Sequence, residues 1–253
     1  MTALALDTWR RLLRRAPADA ALSPLYGPLL AAPSAPDGCY VLGRIAQSLD
    51  GRIATASGAS HWISGREDIV HMHRLRALFD ALVIGAGTVR ADDPQLTTRE
   101  VEGPSPVRVV LDTNRRLHAD YRVFRGGPET LLLCATDAGG AERVGHAPVL
   151  RLPRAGAGLD IAAVLAVLAE RGLRRVYVEG GGITVSRFLA AGALDRLHVT
   201  IAPLLIGSGI PAFTLAETAT LADVLRFGWS VHRLGDDLLV DIPLSCARPD
   251  PPA

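Results

Sequence analysis

The chain has 253 residues, 49% of them apolar, with 27 Lys and Arg against 26 Asp and Glu for a formal net charge of +1. That suits one large domain or two small ones with a substantial core, and it excludes the broad basic face of a nucleic-acid or anionic-membrane binder. Cys39, Cys134 and Cys246 have neither zinc spacing nor the even count of a disulfide framework, and no apolar run reaches transmembrane length.

Asp7–Arg15 has the pattern of a short amphipathic helix, with Trp9, Leu12 and Leu13 on one side. No signal-peptide core precedes it, so a cytoplasmic location is expected. In Ala16–Asp37 five prolines (Pro17, Pro24, Pro28, Pro33 and Pro36) forbid a long helix. Residues 1–38 therefore read as a helix and Pro-rich arm, residues 39–246 as a domain, and residues 247–253 as a Pro-rich tail. Tyr40–Ala46 is the first strand and runs into an Asp50-Gly51 turn. Ser64-Gly65-Arg66-Glu67 has the form of a capping box and predicts a helix to about Phe79. Asp80–Gly85 is an apolar strand, covered on both faces. Gly85–Val89 reads as a glycine turn and Arg90–Pro94 as a short acidic segment. Val107–Leu111 is a third strand, with Asp112-Thr113-Asn114 at its end. Thr130–Cys134 and Val149–Leu152 are two more, around a Gly-rich loop.

Ile161–Arg171 is a helix stopped by Gly172. It feeds the strand Arg175–Val178, then Glu179-Gly180-Gly181-Gly182, then a helix with Val185, Phe188 and Leu189 on its apolar side. Leu194–Ala202 alternates like a strand with one covered face, and Pro203–Pro211 is a loop. Val224–Leu234 and Leu238–Leu244 form a hairpin around Gly235-Asp236-Asp237. αβ units followed by a β tail imply an α/β fold: a mainly parallel mixed sheet with a C-terminal antiparallel hairpin. Ligands of such sheets bind at the carboxyl ends of strands, so the loops after Ala46, Gly85, Leu111 and Val178 should converge on one cleft.

The glycines after Val178 open a helix, where free N–H groups and the dipole suit a phosphate; the dinucleotide fingerprint itself is not met, since its last glycine position holds Val185. A tight turn with no ligand is the alternative. Arg76 and Arg99 read either as forked donors for a phosphate or as solvated surface charge. Asp92 reads as an acceptor for hydroxyls or as a turn residue before Pro94, and Glu179 as an acceptor or a polar strand end. Trp62 could cover a cofactor ring or plug the core. Thr88 reads as a ribose or phosphate donor or as a turn hydroxyl. One of Arg115 and Arg116 is a candidate for a 2′-phosphate. Asp50 could donate a proton, or simply build the Asp-Gly turn. The seven histidines show no shared metal spacing, so no metal site is expected.

Four motifs taken in order resemble the reductase domain of the bifunctional riboflavin-biosynthesis deaminase/reductase. They are Ser48-Leu49-Asp50-Gly51-Arg52; Ser60-His61-Trp62-Ile63-Ser64; Leu75-Arg76-Ala77 with Gly87–Arg99; and Val178–Gly182. The zinc deaminase signature of the bifunctional proteins is missing. The resemblance implies a dihydrofolate-reductase-like three-layer α/β/α fold, a homodimer, and NADPH-dependent reduction of a ribosylamino-pyrimidine 5′-phosphate to its ribitylamino form. It implies that Ser60, Arg76, Asp92, Leu96, Arg99 and Glu179 face substrate. It implies that Ala46, Trp62, Thr88, Thr113, Gly181, Gly182, Ile183 and Thr184 face NADPH. Glu179 and Asp50 are the catalytic candidates. Arg44 stands where the family usually has lysine, which leaves a related pterin or pyrimidine as an alternative substrate. A non-catalytic nucleotide-binding module is the third reading.

Overall fold

Apolar branched runs set the centre of the molecule. Ala81-Leu82-Val83-Ile84 and Val176-Tyr177-Val178 are buried almost completely, and each such Val, Leu or Ile contributes about 1.5–3 kcal/mol by leaving water. The computed structural model describes residues 4–61 and 63–244. Helix α1 (Leu6–Leu12) and two 3-10 turns (Pro17–Leu22 and Gly27–Leu30) precede β1 (Tyr40–Ser48) and β2 (Arg52–Ala54). Then come α2 (Arg66–Leu78), β3 (Ala81–Gly85), α3 (Ala86–Asp92), β4 (Val107–Leu111), α4 (Arg122–Arg125), β5 (Thr130–Ala135), β6 (Arg143–Val144) and β7 (Ala147–Leu152). The chain continues through β8 (Arg154–Ala155), β9 (Gly158–Leu159), α5 (Ile161–Glu170), β10 (Arg175–Glu179), α6 (Gly182–Ala190) and β11 (Arg196–Ala202). It ends with β12 (Ile210–Pro211), β13 (Ser230–Leu234) and β14 (Asp237–Pro243).

Among the described residues the main sheet has the order β13-β14-β11-β1-β10-β3-β4-β5-β7-β6. From β11 to β7 every pairing is parallel; β14 on β11, β13 on β14 and β6 on β7 are antiparallel. This is the mixed α/β sheet with an antiparallel hairpin expected from the sequence. It brings the carboxyl ends of β1, β10, β3 and β4 side by side.

Several local expectations need correction. Helix α2 has Gly65 as its N-cap and no side-chain cap. Ser64 bonds to Asp68 instead, and the Gly65 N–H donates to Asp237 Oδ2 at 2.7 Å. A tertiary contact has replaced the capping box. The stretch read as a glycine turn and acidic segment is helix α3, ended by Asp93 in the left-handed region (φ 39°). Its Gly87 is a poor helix former, but fully buried Val89 anchors it. Only Ser230–Leu234 of the longer strand expected from Val224 pairs in the sheet, while Leu225, Phe227 and Trp229 ahead of it stay exposed. The short helix α4 carried no sequence signal. The arm packs against the domain, where Trp9, Leu12, Leu25, Tyr26, Leu29 and Leu30 share one core with the sheet. The expected tail at 247–253 lies outside the described residues.

Candidate active site

A cavity of about 890 Å³ opens at the carboxyl ends of β1, β3, β4 and β10, within the size range of small-molecule sites. Of the residues singled out in the sequence, Ala46, Ser60, Thr88, Asp92, Leu96, Thr113, Glu179, Gly181, Gly182, Ile183 and Thr184 border it. Arg76, Arg99 and Asp50 do not. Trp62 lies outside the described residues.

The glycine corner is built by two distant motifs. Gly180 has φ +114°, a conformation that side chains resist, so the chain can leave β10 sharply. The next N–H, on Gly181, donates to Thr88 Oγ1 of α3 at 2.9 Å. Thr184 in the first turn of α6 lies against Gly85, where an added Cβ would come 2.4 Å from Thr184 Oγ1. The start of α6 therefore sits on the β3–α3 junction, with Gly181, Gly182, Ile183 and Thr184 at the cavity. Arg187, one turn along α6, also borders the cavity, and its Nη2 donates to the Leu159 carbonyl at 2.6 Å. Partial burial lowers its pKa. Glycines with no Cβ in the way, a helix start and nearby guanidinium groups fit an anionic dinucleotide.

Glu179 ends β10 and is 8% exposed. Arg76 of α2 grips it with a fork, Nε to Oε2 at 2.9 Å and Nη2 to Oε1 at 2.5 Å, while Arg76 Nη1 donates to the Thr97 carbonyl at 3.0 Å. Burial alone would raise the Glu179 pKa, but Arg76 outweighs it and holds the carboxyl below its usual range. Arg76 itself stands behind Glu179 rather than on the cavity lining, with three of its five N–H groups on Glu179 and Thr97. Arg44 of β1 borders the cavity and pairs with buried Asp68, which also accepts from Thr200 Oγ1 at 2.7 Å. Arg44 Nε has no hydrogen-bond partner among the described residues. Arg99 is exposed on the loop after Leu96, and its backbone N–H donates to His73 Nδ1 at 3.2 Å.

Ser60 hydrogen-bonds to Asp92, whose pKa rises because partial burial outweighs that bond and nearby His61. Asp50 is a turn carboxylate. It accepts from Ser48 Oγ at 2.6 Å and from the Ile206 and Gly207 N–H groups at 3.1 and 2.7 Å. These bonds, Ser48 first, push its pKa down to about 2. A carboxyl ionised at that pH and outside the cavity lining is no proton donor at neutral pH, which corrects its catalytic candidacy. Of the two arginines after β4, Arg116 borders the cavity, whereas Arg115 Nη1 donates to the Ala141 carbonyl at 2.9 Å.

Sequence reasoning gave no role to Arg90, which lies within the quoted Gly87–Arg99 motif, or to Arg187, which lies in none; both border the cavity. It also missed a flap: β12 pairs with β2, and Ile53, Ala54, Ile210 and Pro211 together cover one side. Two strands this short leave almost no period to read.

Comparison with known proteins places these residues in context. The model of the RibD C-terminal domain matches residues 39–232. The chain is 36% identical over 212 residues to the 2,5-diamino-6-ribosylamino-4(3H)-pyrimidinone 5′-phosphate reductase of Methanothermobacter thermautotrophicus, covering 80% of this chain and 96% of that one. It is 33% identical over 208 residues to the riboflavin biosynthesis protein RibD of Mycobacterium tuberculosis, covering 80% of this chain but 54% of that one. The chain thus spans nearly all of the archaeal reductase and about half the length of that bacterial relative. Among solved structures, Acinetobacter baumannii RibD superposes with a TM-score of 0.73 at 26% identity, over 89% of this chain and 62% of that one.

Proposed function

The chain belongs to the RibD C-terminal domain family, and from that premise we propose that it reduces a ribosylamino-pyrimidine 5′-phosphate to the ribitylamino product with NADPH, as a step of riboflavin biosynthesis. The observation that carries this reading is the meeting of four separated stretches at one cavity: Ser60, Thr88 to Asp92, Thr113, and Glu179 to Gly181.

The nicotinamide, when bound, supplies the hydride, which adds to the first sugar carbon of the ring-opened C=N form while a proton goes to nitrogen. The protein's part is placement and charge. The turn from Gly180 and the start of α6 receive the cofactor's phosphates, and Thr88 fixes that turn through the Gly181 N–H. Glu179 stays ionised because of Arg76. Each of its oxygens keeps a further lone pair for a substrate hydroxyl. Asp92, steadied by Ser60, accepts from the same polyol chain. Arg90 and Arg44, which border the cavity, serve the substrate's anionic and carbonyl groups in place of Arg76. Water in the open cavity supplies the proton. Arg116 selects NADPH over NADH by meeting the 2′-phosphate.

The assembly proposed is a homodimer. Leu221, Leu225, Phe227, Trp229 and Val231 are exposed beside the edge strand β13, and an apolar run next to an unpaired edge suits a second copy. No helix of the described residues is long and apolar enough to cross a membrane, and a cytoplasmic location completes the reading. The test is NADPH oxidation with the ribosylamino-pyrimidine phosphate, beside a dihydropterin. Turnover with the pyrimidine alone supports the proposal. Turnover with the pterin alone, or with neither, overturns it.

A further inference from the structure

The arm that precedes the family match grips the loop on the substrate side of the cavity. Two side chains of α1 reach one residue, Glu102. The Trp9 indole N–H donates to its carbonyl at 2.9 Å, and Arg10 forks onto its carboxylate, Nε and Nη2 each at 2.9 Å. Next to it the chain squeezes between helices: a Cβ on Gly103 would lie 2.6 Å from Ala77 of α2 and 3.1 Å from Leu13. Trp9 is itself fixed, 3% exposed, with the Arg74 guanidinium of α2 5.7 Å from its ring centre.

The other end of this loop is the cavity wall. Leu96 borders the cavity, the Thr97 carbonyl accepts from Arg76, and the Arg99 N–H is held by His73. Glu100 pairs with Arg66 of α2 at 2.6 Å. Loop 97–104 is therefore pinned on its inner side by α2 and on its outer side by α1. Through Thr97 it bears on Arg76, and through Arg76 on Glu179. Arg10 and Glu102 are both about half exposed, with side-chain exposures of 52% and 51%. An ion pair so open to water adds little to global stability. Its geometric effect is to set where the loop lies.

We propose that α1 is a positioning element for the substrate side of the cavity, with Trp9 and Arg10 fixing Glu102 and hence the loop that leads back through Arg99 and Thr97 to cavity-lining Leu96. The kinetic part of this rests on the reading of the cavity as a reductase site; the mechanical part does not. Arg10→Glu should raise KM for the pyrimidine phosphate about fivefold, the scale of coupling between contacting groups. In the same variant kcat at saturation and the dissociation constant for NADPH should hold. Amide hydrogen exchange over residues 97–104 should quicken. The charge-exchanged double variant, Arg10→Glu with Glu102→Arg, should return both KM and exchange towards the parent values. Trp9→Phe keeps the packing and loses the N–H, and should share the exchange effect. Unchanged KM and exchange in Arg10→Glu, or no recovery in the double variant, overturns the proposal. If the parent protein turns over no pyrimidine phosphate, the functional reading falls and loop exchange alone decides: faster exchange in Arg10→Glu upholds the brace, and unchanged exchange removes it.

Discussion

Arg44 and Glu179 are register partners across β1 and β10, and each is held by α2, Arg44 by Asp68 and Glu179 by Arg76. The two holding residues are eight apart, with cavity-lining Met72 midway between them. That spacing puts all three on one stripe of the helix. One helix face thus presents an acid to the cation of the first strand and a cation to the acid of the second. Arg44 and Glu179 line the cavity while Asp68 and Arg76 stand behind them, so the strand ends offer opposite charges side by side, each held in place by its partner on α2.

Breaking one of these pairs should cost stability as well as activity. Arg76→Met leaves Glu179 buried and unpaired, a change worth about 3–5 kcal/mol in comparable sites. Thermal unfolding should register it as a clear fall in Tm. The pH dependence has a definite sign. The Glu179 pKa is lowered in the folded protein because Arg76 outweighs burial. Its stabilisation is therefore present above the unfolded carboxylate value, roughly pH 4.3, and is lost as pH falls through the folded value. Glu179→Gln should flatten that acid limb of the Tm-against-pH curve and also cut kcat/KM severely. An unchanged acid limb would show that the pair carries no such linkage.

Asp50→Asn separates a proton donor from a turn residue. The three hydrogen bonds that lower the Asp50 pKa to about 2 also tie the β1–β2 turn to Ile206 and Gly207. The amide keeps an acceptor oxygen, so Tm should fall modestly and kcat should stay within about twofold. Loss of a true general acid would instead cost roughly a hundredfold or more. Single-turnover rates in the variant decide between the two.

Arg116→Ala tests the choice of cofactor. Among the described residues no ion pair or hydrogen bond engages the Arg116 side chain, while Arg115 is tied to Ala141. Losing one charge-assisted contact to a 2′-phosphate should weaken NADPH binding about tenfold, close to 1.4 kcal/mol. NADH binding should not move, and Arg115→Ala should leave both unchanged. Titration calorimetry with 2′-AMP and 5′-AMP reads the same difference without turnover. Equal losses for the two mononucleotides would remove Arg116 from this role.

The sheet was legible because its strands carry local signals. Val107–Leu111 and Arg175–Val178 are branched, uncharged at their centres and bounded by turns, so pattern alone finds them. The same holds for the helix start after Gly181. What escaped was decided by contacts across the chain. Helix α3 holds Gly87 just after its Gly85 N-cap and reads as a turn until Val89 is seen in the core. Arg76 reads as a free phosphate ligand because nothing local says that Glu179, 103 residues away, takes its fork. Arg115 and Arg116 are equivalent in sequence, and only the fold sets one on the Ala141 carbonyl and the other at the cavity. The arm gave prolines and a helix, with no hint that Trp9 would reach Glu102.

Gly182→Ala probes the glycine corner where sequence and structure agree most closely. Gly182 opens α6 with ordinary helical geometry, so alanine brings no backbone strain and would favour the helix by about 1 kcal/mol in an open site. Here the site is closed: the new Cβ would lie 2.4 Å from the Ala212 carbonyl oxygen and 2.9 Å from that of Pro211. Backbone atoms cannot swing aside as a side chain would, so β12 and the residue after it must move away from α6. That segment carries Ile210 and Pro211, which cover the cavity. The expected result is a lower Tm despite the better helix former, together with weaker NADPH binding. Gly192→Ala gives the contrast: its Cβ would meet nothing within 4 Å, but its φ of +63° makes the backbone itself the obstacle. That variant should lose stability and keep its cofactor affinity. If Gly182→Ala instead raised Tm and left affinity intact, the close approach between α6 and the β12 segment would not be a working part of the site.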